Sequence, residues 1–251
     1  MSRALSPASA AILRTEARLF AREPVNMFWV LAFPTVLLAA LGAIPAFREH
    51  KPELDGQSVI ALYVPVCVLS ALLVAGLQTM PPVLVGYREQ GVLRRLALTP
   101  VRPRQLLVAQ VAVNGGAALA SALLAVVVGR VAFGVPLPGQ PAGYLLALAL
   151  ATLTAFGIGA IICALSRTMK IAQGVASAFF FPMMGTAGLW LPVQVFPEPL
   201  RAIVDFTPFG AAAEALNQAG TGMWPSWSHL GVMAAWAVVL FAAAARWFRW
   251  E

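Results

Sequence analysis

Two long runs without a charged residue constrain the fold of this chain most. No position between Asp55 and Arg88 carries a charge, and none does between Arg104 and Arg130. An uncharged apolar stretch of that length crosses a bilayer as a helix, since ~20 apolar residues at 1.5 Å each span the hydrocarbon. Between the two runs lies a basic island, 86–105, which we expect to lie outside the membrane.

The composition agrees with a membrane protein. Of the 251 residues 60% are hydrophobic and 11% are charged, whereas soluble domains carry roughly 25% charged residues. The net charge of +7 does not indicate nucleic-acid binding, because the arginines sit between apolar runs rather than on one folded face. Cys67 and Cys163 fall within apolar runs, which favours buried thiols over a disulfide or a metal site.

Length and hydropathy predict an all-α integral membrane protein with six transmembrane helices in one domain covering 1–251. We place the spans at about 26–47, 58–84, 105–131, 142–165, 171–192 and 229–248. In the fourth, small residues recur every four positions and form a face suited to close helix contact, namely Ala151, Ala155, Gly159 and Cys163. Charged residues interrupt the amino-terminal positions, so a cleaved signal peptide is not expected.

Residues 8–23 are predicted to form an amphipathic helix at the membrane surface. Arg14, Arg18 and Arg22 make one basic stripe, which would lie near anionic lipid headgroups; a plain topogenic charge cluster is the alternative. The predicted spans divide the 17 lysines and arginines between the two sides of the membrane. Only four fall on the side away from the island, namely Arg48, Lys51, Arg130 and Arg201. By the positive-inside rule both termini are therefore cytoplasmic.

The segment 193–228, between the last two spans, is predicted to hold two short helices. Pro197 favours the start of the first, and Thr207-Pro208 favours the start of a second that ends at Gly220. Each is too short to cross the membrane, so we interpret them as a re-entrant hairpin dipping into the outer leaflet. Two surface helices on the outer face are the alternative.

The chain lacks the usual means of capturing chemical energy. It has no glycine-rich phosphate loop, because His50 and Met169 precede its only two lysines. His50 and His229 lack metal-ligand spacing, and no span contains a Ser/His/Asp arrangement or a carboxylate pair. A carrier driven by an ion gradient generally needs ionisable groups at membrane depth. If this protein moves a solute, an external motor must supply the energy.

The basic island has a helical pattern of its own. Its charged residues are Arg88, Glu89, Arg94, Arg95, Arg102 and Arg104. Apolar residues recur between them at near-helical spacing, namely Val92, Leu93, Leu96 and Leu98. Thr99-Pro100 then ends the turn, so the island is predicted to contain a short amphipathic helix at the membrane surface.

The island resembles the cytoplasmic motif of permease subunits of ABC-2 type transporters, which include the daunorubicin-exporter-like membrane proteins. The residues that carry the resemblance are Glu89, Gly91, Leu93, Arg95, Leu96, Thr99 and Pro100. A second stretch is similar to the family's segment between the fifth and sixth helices, through Gly188, Pro192, Phe196, Pro197, Leu200 and Pro208. The order of elements along nearly the whole chain is also similar.

The resemblance implies a half-transporter without its own ATPase. A separate nucleotide-binding subunit would bind ATP and Mg, this chain would carry no cofactor, and a second permease copy, identical or related, would complete the assembly in a bacterial plasma membrane. Residues 86–104 would be the coupling region. In it Leu93 and Leu96 would anchor in a cleft of the ATPase, while charge pairing would come from Glu89, Arg94 and Arg95.

We expect export of a hydrophobic or amphipathic molecule, such as a drug, a natural product or a lipid-like compound. The predicted substrate path is a wall of large apolar residues on the second and fifth spans, including Leu69, Leu73, Leu77, Phe180, Met183 and Met184. The outer hairpin is marked by Gly188, Pro192, Phe196, Pro197, Pro208 and Glu214. Alternatives are export of a polysaccharide or glycolipid, an ion-coupled carrier, and a non-transporting membrane anchor or sensor.

Overall fold

The structure, a computed structural model, describes residues 7–50, 52–54, 56–92, 95 and 103–247. Its helices are α1 (Pro7–Ala21), α2 (Pro24–Gly42), α3 (Pro45–Arg48), α4 (Val59–Glu89), α5 (Pro103–Phe133), α6 (Pro141–Leu165), α7 (Met169–Thr186), α8 (Glu198–Val204), α9 (Pro208–Gly220) and α10 (Trp227–Trp247). Pro52–Leu54 and Val193–Val195 form 3₁₀ turns. Within the described ranges the only β pairing is an isolated bridge between His50 and Ser58, so the predicted all-α class is confirmed for this part of the chain.

The long helix α4 lies at the centre of the bundle. It is apolar on every side, which is typical of a helix buried all round, and most of its side chains are buried. Six helices of the described chain pack against it, namely α2, α3, α5, α6, α7 and α9. The main hydrophobic core consequently runs along α4 and includes Leu69, Leu73 and Met80.

Prolines account for two irregular stretches in the helices. α2 has a π-helical turn at Phe28–Ala32 just before Pro34, and α4 has one at Val74–Thr79 just before Pro81 and Pro82. Proline has no backbone N–H, and its ring crowds the carbonyl four residues earlier. The helix relieves this crowding by widening locally into a π turn.

Glycines allow α4 and α6 to approach each other closely. A Cβ atom on Gly76 of α4 would lie 2.8 Å from the backbone carbon of Ala155, and a Cβ atom on Gly159 of α6 would collide with the carbonyl oxygen of Gly76. Ala151, Ala155 and Cys163, on the same face of α6, are buried. The small-residue face predicted for the fourth span is confirmed, and Gly76 is the partner that the sequence pattern did not reveal.

In the part of the chain that the structure describes, five helices are long and apolar enough to cross a membrane: α2, α4, α5, α6 and α10. The predicted fifth span, 171–192, corresponds to α7, which is not among them within the described residues. This helix ends at Thr186, before the predicted boundary, and Lys170, Gln173 and Pro182 lower its hydropathy. The prediction of six spans is therefore not confirmed.

Helix α7 runs antiparallel to α4 along much of its length. At its start, the Met169 N–H donates a hydrogen bond to Glu89 Oε2 (2.8 Å), at the last residue of α4. Just beyond its end, the Leu189 carbonyl accepts a hydrogen bond from the Tyr63 hydroxyl (3.3 Å), close to the first residue of α4. α7 therefore reaches from one end of α4 to the neighbourhood of the other.

Several predicted boundaries need correction. The first span ends at Gly42 rather than 47, because Pro45 starts the separate turn α3. The second span continues past 84 to Glu89, so the first residues of the island belong to the same helix. α1 ends at Ala21 rather than 23. The remaining predicted spans, 105–131, 142–165 and 229–247 of the described chain, lie within α5, α6 and α10.

The segment 193–228 contains two short helices at the expected places. α8 follows Pro197, and α9 begins at Pro208 after Thr207, whose hydroxyl accepts a hydrogen bond from the Gly210 N–H (3.1 Å). α9 packs against α4, α6 and α10, and most of its residues are buried. It therefore forms part of the core, which does not fit the alternative of two surface helices.

Candidate coupling site

The island begins where the ends of α4, α6 and α7 meet. We call this the basic end of the bundle, because it carries Arg88, Arg167 and Lys170. α6 arrives there at Leu165 and α7 departs from Met169, so the turn between them lies beside the last turn of α4. The arrangement places the start of the predicted coupling region against the connection between two other helices.

Arg88 of α4 binds the carboxyl end of α6. Its guanidinium donates hydrogen bonds to the Cys163 carbonyl (3.3 Å) and to the Ser166 carbonyl. The last carbonyls of a helix lack partners within that helix and carry partial negative charge. A cation at this position satisfies them and fixes the end of α6 to α4.

Glu89, the next residue, binds the amino end of α7. Its carboxylate accepts a hydrogen bond from the Met169 N–H (2.8 Å), where the helix dipole favours a negative charge. Thr168 completes the cap, because its hydroxyl accepts a hydrogen bond from the Ile171 N–H (3.3 Å). Two adjacent residues of α4 therefore hold both sides of the turn between α6 and α7.

Gly91 ends α4 and starts the next turn. Its φ angle is +68°, a left-handed conformation that residues with a side chain rarely adopt. The Gly91 N–H donates to the Arg88 carbonyl (3.1 Å), and the Arg95 N–H donates back to the Gly91 carbonyl (3.1 Å). This conformational need explains the glycine of the motif, since no atom lies within 4 Å of a Cβ built at this position.

The rest of the motif is only partly described. Arg95 is exposed, and its guanidinium donates a hydrogen bond to the Gln90 carbonyl (3.2 Å). The other predicted coupling residues lie outside the described residues, namely Leu93, Arg94, Leu96, Thr99 and Pro100. Their contacts with a partner stay a prediction.

A chain of hydrogen bonds between polar side chains connects α1 to α4 and α5 near the same end. Thr79 donates its hydroxyl to Asn114 Oδ1 (2.8 Å), and Asn114 Nδ2 donates to Gln110 Oε1 (2.9 Å). Gln110 Nε2 then donates to Glu16 Oε2 (2.5 Å), which also accepts from the Tyr87 hydroxyl (3.1 Å). This series of hydrogen bonds ends at the carboxylate of Glu16, a residue that is only 6% exposed. Beside it lies a cavity of about 20 Å³, which has room for roughly one water.

Sequence reasoning missed Glu16 because it sits among exposed arginines. Arg14, Arg18 and Arg22 are all exposed, so the basic stripe of α1 faces away from the bundle. Glu16 lies on the buried side, together with Ile12 and Phe20, which pack against the core. The spacing of the arginines is the signal in the sequence, because it leaves Glu16 off the basic stripe.

We expect the pH dependence of stability to flatten in the Glu16→Gln variant. Burial raises the pKa of the Glu16 carboxyl above its ordinary value of 4.5, and hydrogen bonds from Tyr87 and Gln110 offset only part of that rise while Glu23 adds to it. The folded chain then holds this proton when the unfolded chain has lost it, so stability falls as pH rises from 4.5 through the raised pKa. Glutamine keeps an acceptor oxygen and does not titrate.

The measurement is the melting temperature of the purified chain between pH 5 and 8, with protease accessibility of α1 as a second readout. The matched control is Glu198→Gln, which removes an exposed carboxylate at the other end of the bundle and should leave the wild-type slope. A wild-type slope in Glu16→Gln would contradict the assignment.

The predicted path residues are mostly inside the single chain. Leu69, Leu73, Leu77 and Met184 are fully buried in the main core, while Phe180 and Met183 are partly buried against it. The neighbouring Phe179 and Phe181 are exposed. A route along the predicted wall would therefore require α7 to separate from α4.

The predicted residues of the outer hairpin lie at the opposite end of the bundle. Gly188 and Pro192 are buried, Phe196 is half-buried and Pro197 is exposed. Pro208 and Glu214 belong to α9, and Glu214 is 3% exposed. Its carboxylate forms an ion pair with Arg201 of α8 and accepts a hydrogen bond from Gln194 Nε2 (3.3 Å). This pairing satisfies a buried charge that would otherwise be costly.

Metal-binding groups and disulfides are two further kinds of candidate site. In the described part of the chain, no group of three or more His, Cys, Asp or Glu side chains could hold a metal ion. Cys67 and Cys163 are free and buried. What the basic end offers is a pair of helix caps beside a basic island.

The family model for ABC-2 family transporter proteins matches residues 44–246, which is most of the 251-residue chain. No curated protein matches the chain. The matched region contains α4 with its two caps, the island, and the helices that Arg88 and Glu89 bind. The chain belongs to the ABC-2 family of transporter proteins and is a multi-pass membrane permease of that type.

Proposed function

We propose that this permease works in an ATP-driven exporter of a bacterial plasma membrane, together with a separate ATPase subunit. The observation that carries the proposal is the double cap at the end of α4, where Arg88 holds α6 and Glu89 holds α7. A protein docked on the adjoining island would displace three helices at once. Membership of the family supports an ATPase partner, on which ATP and Mg would bind.

The helices that flank the island are suited to transmit its movement. α4 continues from Val59 to Glu89 without a break, and α5 starts at Pro103. A push on the island therefore acts on the ends of two long helices, each of which packs against the other. Coupling between distant sites needs such rigid elements with more than one arrangement.

The partner would be recognised by the predicted coupling residues of the island. In the proposal Leu93 and Leu96 insert as apolar anchors, while Arg94 and Arg95 pair with carboxylates of the ATPase. The exposed stripe of α1, Arg14, Arg18 and Arg22, lies against anionic headgroups of the same leaflet. In the proposal the basic end and both termini therefore lie in the cytoplasm.

We further propose that α7 is the sixth membrane crossing. Its contacts with both ends of α4, through Glu89 and Tyr63, support a crossing despite its lower hydropathy. Its polar residues are tolerated because it packs against α4, α6 and α9 rather than standing alone in lipid. α8 and α9 would then form the re-entrant hairpin of the outer leaflet.

The exported molecule is proposed to be hydrophobic or amphipathic, and the working assembly to contain two permease copies. Support comes from the predicted wall on α4 and α7, whose apolar side chains carry neither the hydrogen-bonding groups that a sugar needs nor a charge for an ion. The transport cycle would separate α7 from α4 and expose Leu69, Leu73, Leu77 and Met184 to the substrate. The exposed Phe179 and Phe181 provide a first contact at the membrane.

The test is co-purification of the chain with a candidate phosphate-loop ATPase subunit from the same organism, followed by transport in vesicles. We expect ATP-dependent movement of an amphipathic dye only when both subunits are present. The double charge reversal Arg94→Glu/Arg95→Glu should reduce ATPase retention about tenfold, by reversing charges that steer and hold the complex. The control Arg130→Glu, at an exposed site on the opposite end, should retain the partner. Uphill dye movement by the chain alone would overturn the proposal.

A further inference from the structure

Two cavities adjoin at the end of the bundle opposite the basic end. The first, which we call the chamber, has a volume of about 340 Å³, and among apolar residues its lining holds several polar ones, including Arg48, His50, Gln57, Asn217 and Thr221. The second, which we call the groove, has a volume of about 560 Å³ and is lined by apolar residues including Leu119, Leu123, Leu145 and Leu148. Both volumes are in the range of small-molecule sites.

The chamber and the groove share one wall. Val126, Leu137, Pro138 and Tyr144 line both cavities. A molecule with a polar head and an apolar tail could therefore occupy the chamber and the groove together, without a side chain of another helix between them.

The chamber is basic. Arg48 lies in its wall, and no carboxylate is among the described residues that line it. The Arg48 side chain is positioned by the protein, because its guanidinium packs 5.2 Å from the centre of the Phe133 ring and its Nε donates to the Gly42 carbonyl. Neutral donors, Gln57 and Asn217 among them, complete the lining. This chemistry favours an anion over a cation.

Tyr144 supplies an independent sign of a missing ligand. Tyr144 is only 8% exposed, and its buried hydroxyl has no hydrogen-bond partner in the structure. Buried hydroxyl groups almost always have a partner, since an unmade hydrogen bond costs free energy. Tyr144 lines both cavities, and an oxygen of a bound headgroup would give its hydroxyl a partner.

The walls of the chamber are already formed in the single chain. The Gly139 and Gln140 N–H groups donate hydrogen bonds to the carbonyls of Gly220 (3.2 Å) and Ala219 (3.0 Å). These bonds join the segment between α5 and α6 to the end of α9. A preformed cavity lowers the entropic cost of binding.

The groove opens sideways, towards the surroundings of the bundle. Leu123 is 66% exposed, and Leu119 and Leu145 are also exposed. All three belong to membrane-crossing helices, so the groove faces hydrocarbon and its occupant would enter from the bilayer. The site lies between α5 and α6, away from the proposed path between α4 and α7.

We propose that the chamber and the groove together bind one anionic phospholipid of the outer leaflet. Its headgroup lies in the chamber beside Arg48 and Tyr144, and one acyl chain lies in the groove along Leu119, Leu123 and Leu145. The site goes beyond the proposed export function, because binding requires neither ATP nor a partner subunit; only its assignment to the outer leaflet rests on the proposed orientation.

The test is native mass spectrometry of the purified full chain mixed with dioleoyl phosphatidylglycerol or dioleoyl phosphatidylcholine. We expect one phosphatidylglycerol per chain, preferred over phosphatidylcholine about tenfold because of the headgroup charge. Leu123→Trp, which fills the groove, should reduce retention at least several-fold, whereas Val131→Trp on the same helix should not. Val131 is 81% exposed and does not line the groove.

Two further variants test the chamber. Arg48→Gln should remove the preference between the two lipids, and Tyr144→Phe should weaken binding of both without unfolding the chain. Glycerol phosphate alone should not displace the lipid. Equal retention of the two lipids by the wild type, equal retention by Leu123→Trp and Val131→Trp, or displacement by glycerol phosphate would each overturn the proposal. A dimer that dissociates in Leu123→Trp with unchanged lipid retention would assign the groove to a second copy and overturn it as well.

Discussion

Replacing Gly159 with alanine is expected to destabilise the purified chain by about 2–3 kcal/mol, the upper range for overpacking a buried site. The added methyl would collide with the carbonyl oxygen of Gly76 and would lie 2.9 Å from Met80 Cε. The methionine side chain can move, but the carbonyl belongs to the backbone of the central helix. Relief would require α4 and α6 to separate along a tightly packed interface.

The melting temperature in detergent micelles measures this effect, and Gly116→Ala is the matched control. Gly116 is a glycine of α5, is exposed, and has no atom within 4 Å of a Cβ built on it. The control should therefore not destabilise the chain, and should stabilise it by up to about 1 kcal/mol because alanine favours a helix over glycine. Equal destabilisation by the two substitutions would show that α4 and α6 do not meet at Gly159.

Replacing Glu89 with alanine is expected to reduce ATP-driven transport at least about tenfold, since small misplacements at a distance from a working site have effects of that size. The variant loses the acceptor for the Met169 N–H, so the end of α4 no longer holds the start of α7. The loss of one helix cap costs about 1 kcal/mol. Membrane insertion should therefore persist while ATP hydrolysis becomes uncoupled from export.

The measurements are dye transport and ATP hydrolysis in vesicles that contain both subunits. Glu198→Ala is the control, because Glu198 is an exposed carboxylate at the start of α8, at the opposite end of the bundle. Glu89→Gln separates two roles: an amide can still accept from the Met169 N–H, whereas it cannot pair with a cation of the ATPase. Normal transport by Glu89→Ala would remove Glu89 from the coupling mechanism.

Much of the fold could be predicted because hydropathy acts over whole helices. Four predicted spans and both short outer helices correspond to observed helices with shifts of a few residues. The first span was predicted too long, because the apolar run continues through Pro45 although the proline starts a new turn. The end of α4 was predicted too early, because Arg88 is charged and its interaction with α6 cannot be read from spacing.

The candidate site was predicted only in part, for the same reason. The motif pointed to Glu89 and Gly91, and local backbone chemistry explains the glycine. The partners of Glu89 and Arg88 lie on other helices, at Met169 and at the end of α6. The partners of Glu16 could not be predicted either, because Gln110 and Tyr87 come together with it only after α1 packs on the bundle.

The sequence by itself determined that this chain enters a membrane, where its charges concentrate, and which segments are helical. These properties follow from the free energy of transferring short stretches of residues from water into hydrocarbon. That free energy depends on residues that are close together along the chain. Only the tertiary structure decided which helix is central and that α4 and α6 approach closely at Gly76 and Gly159. It also decided which groups Arg88, Glu89 and Glu16 bind. Those contacts join residues far apart in sequence, so their energies depend on helix packing that no local pattern encodes.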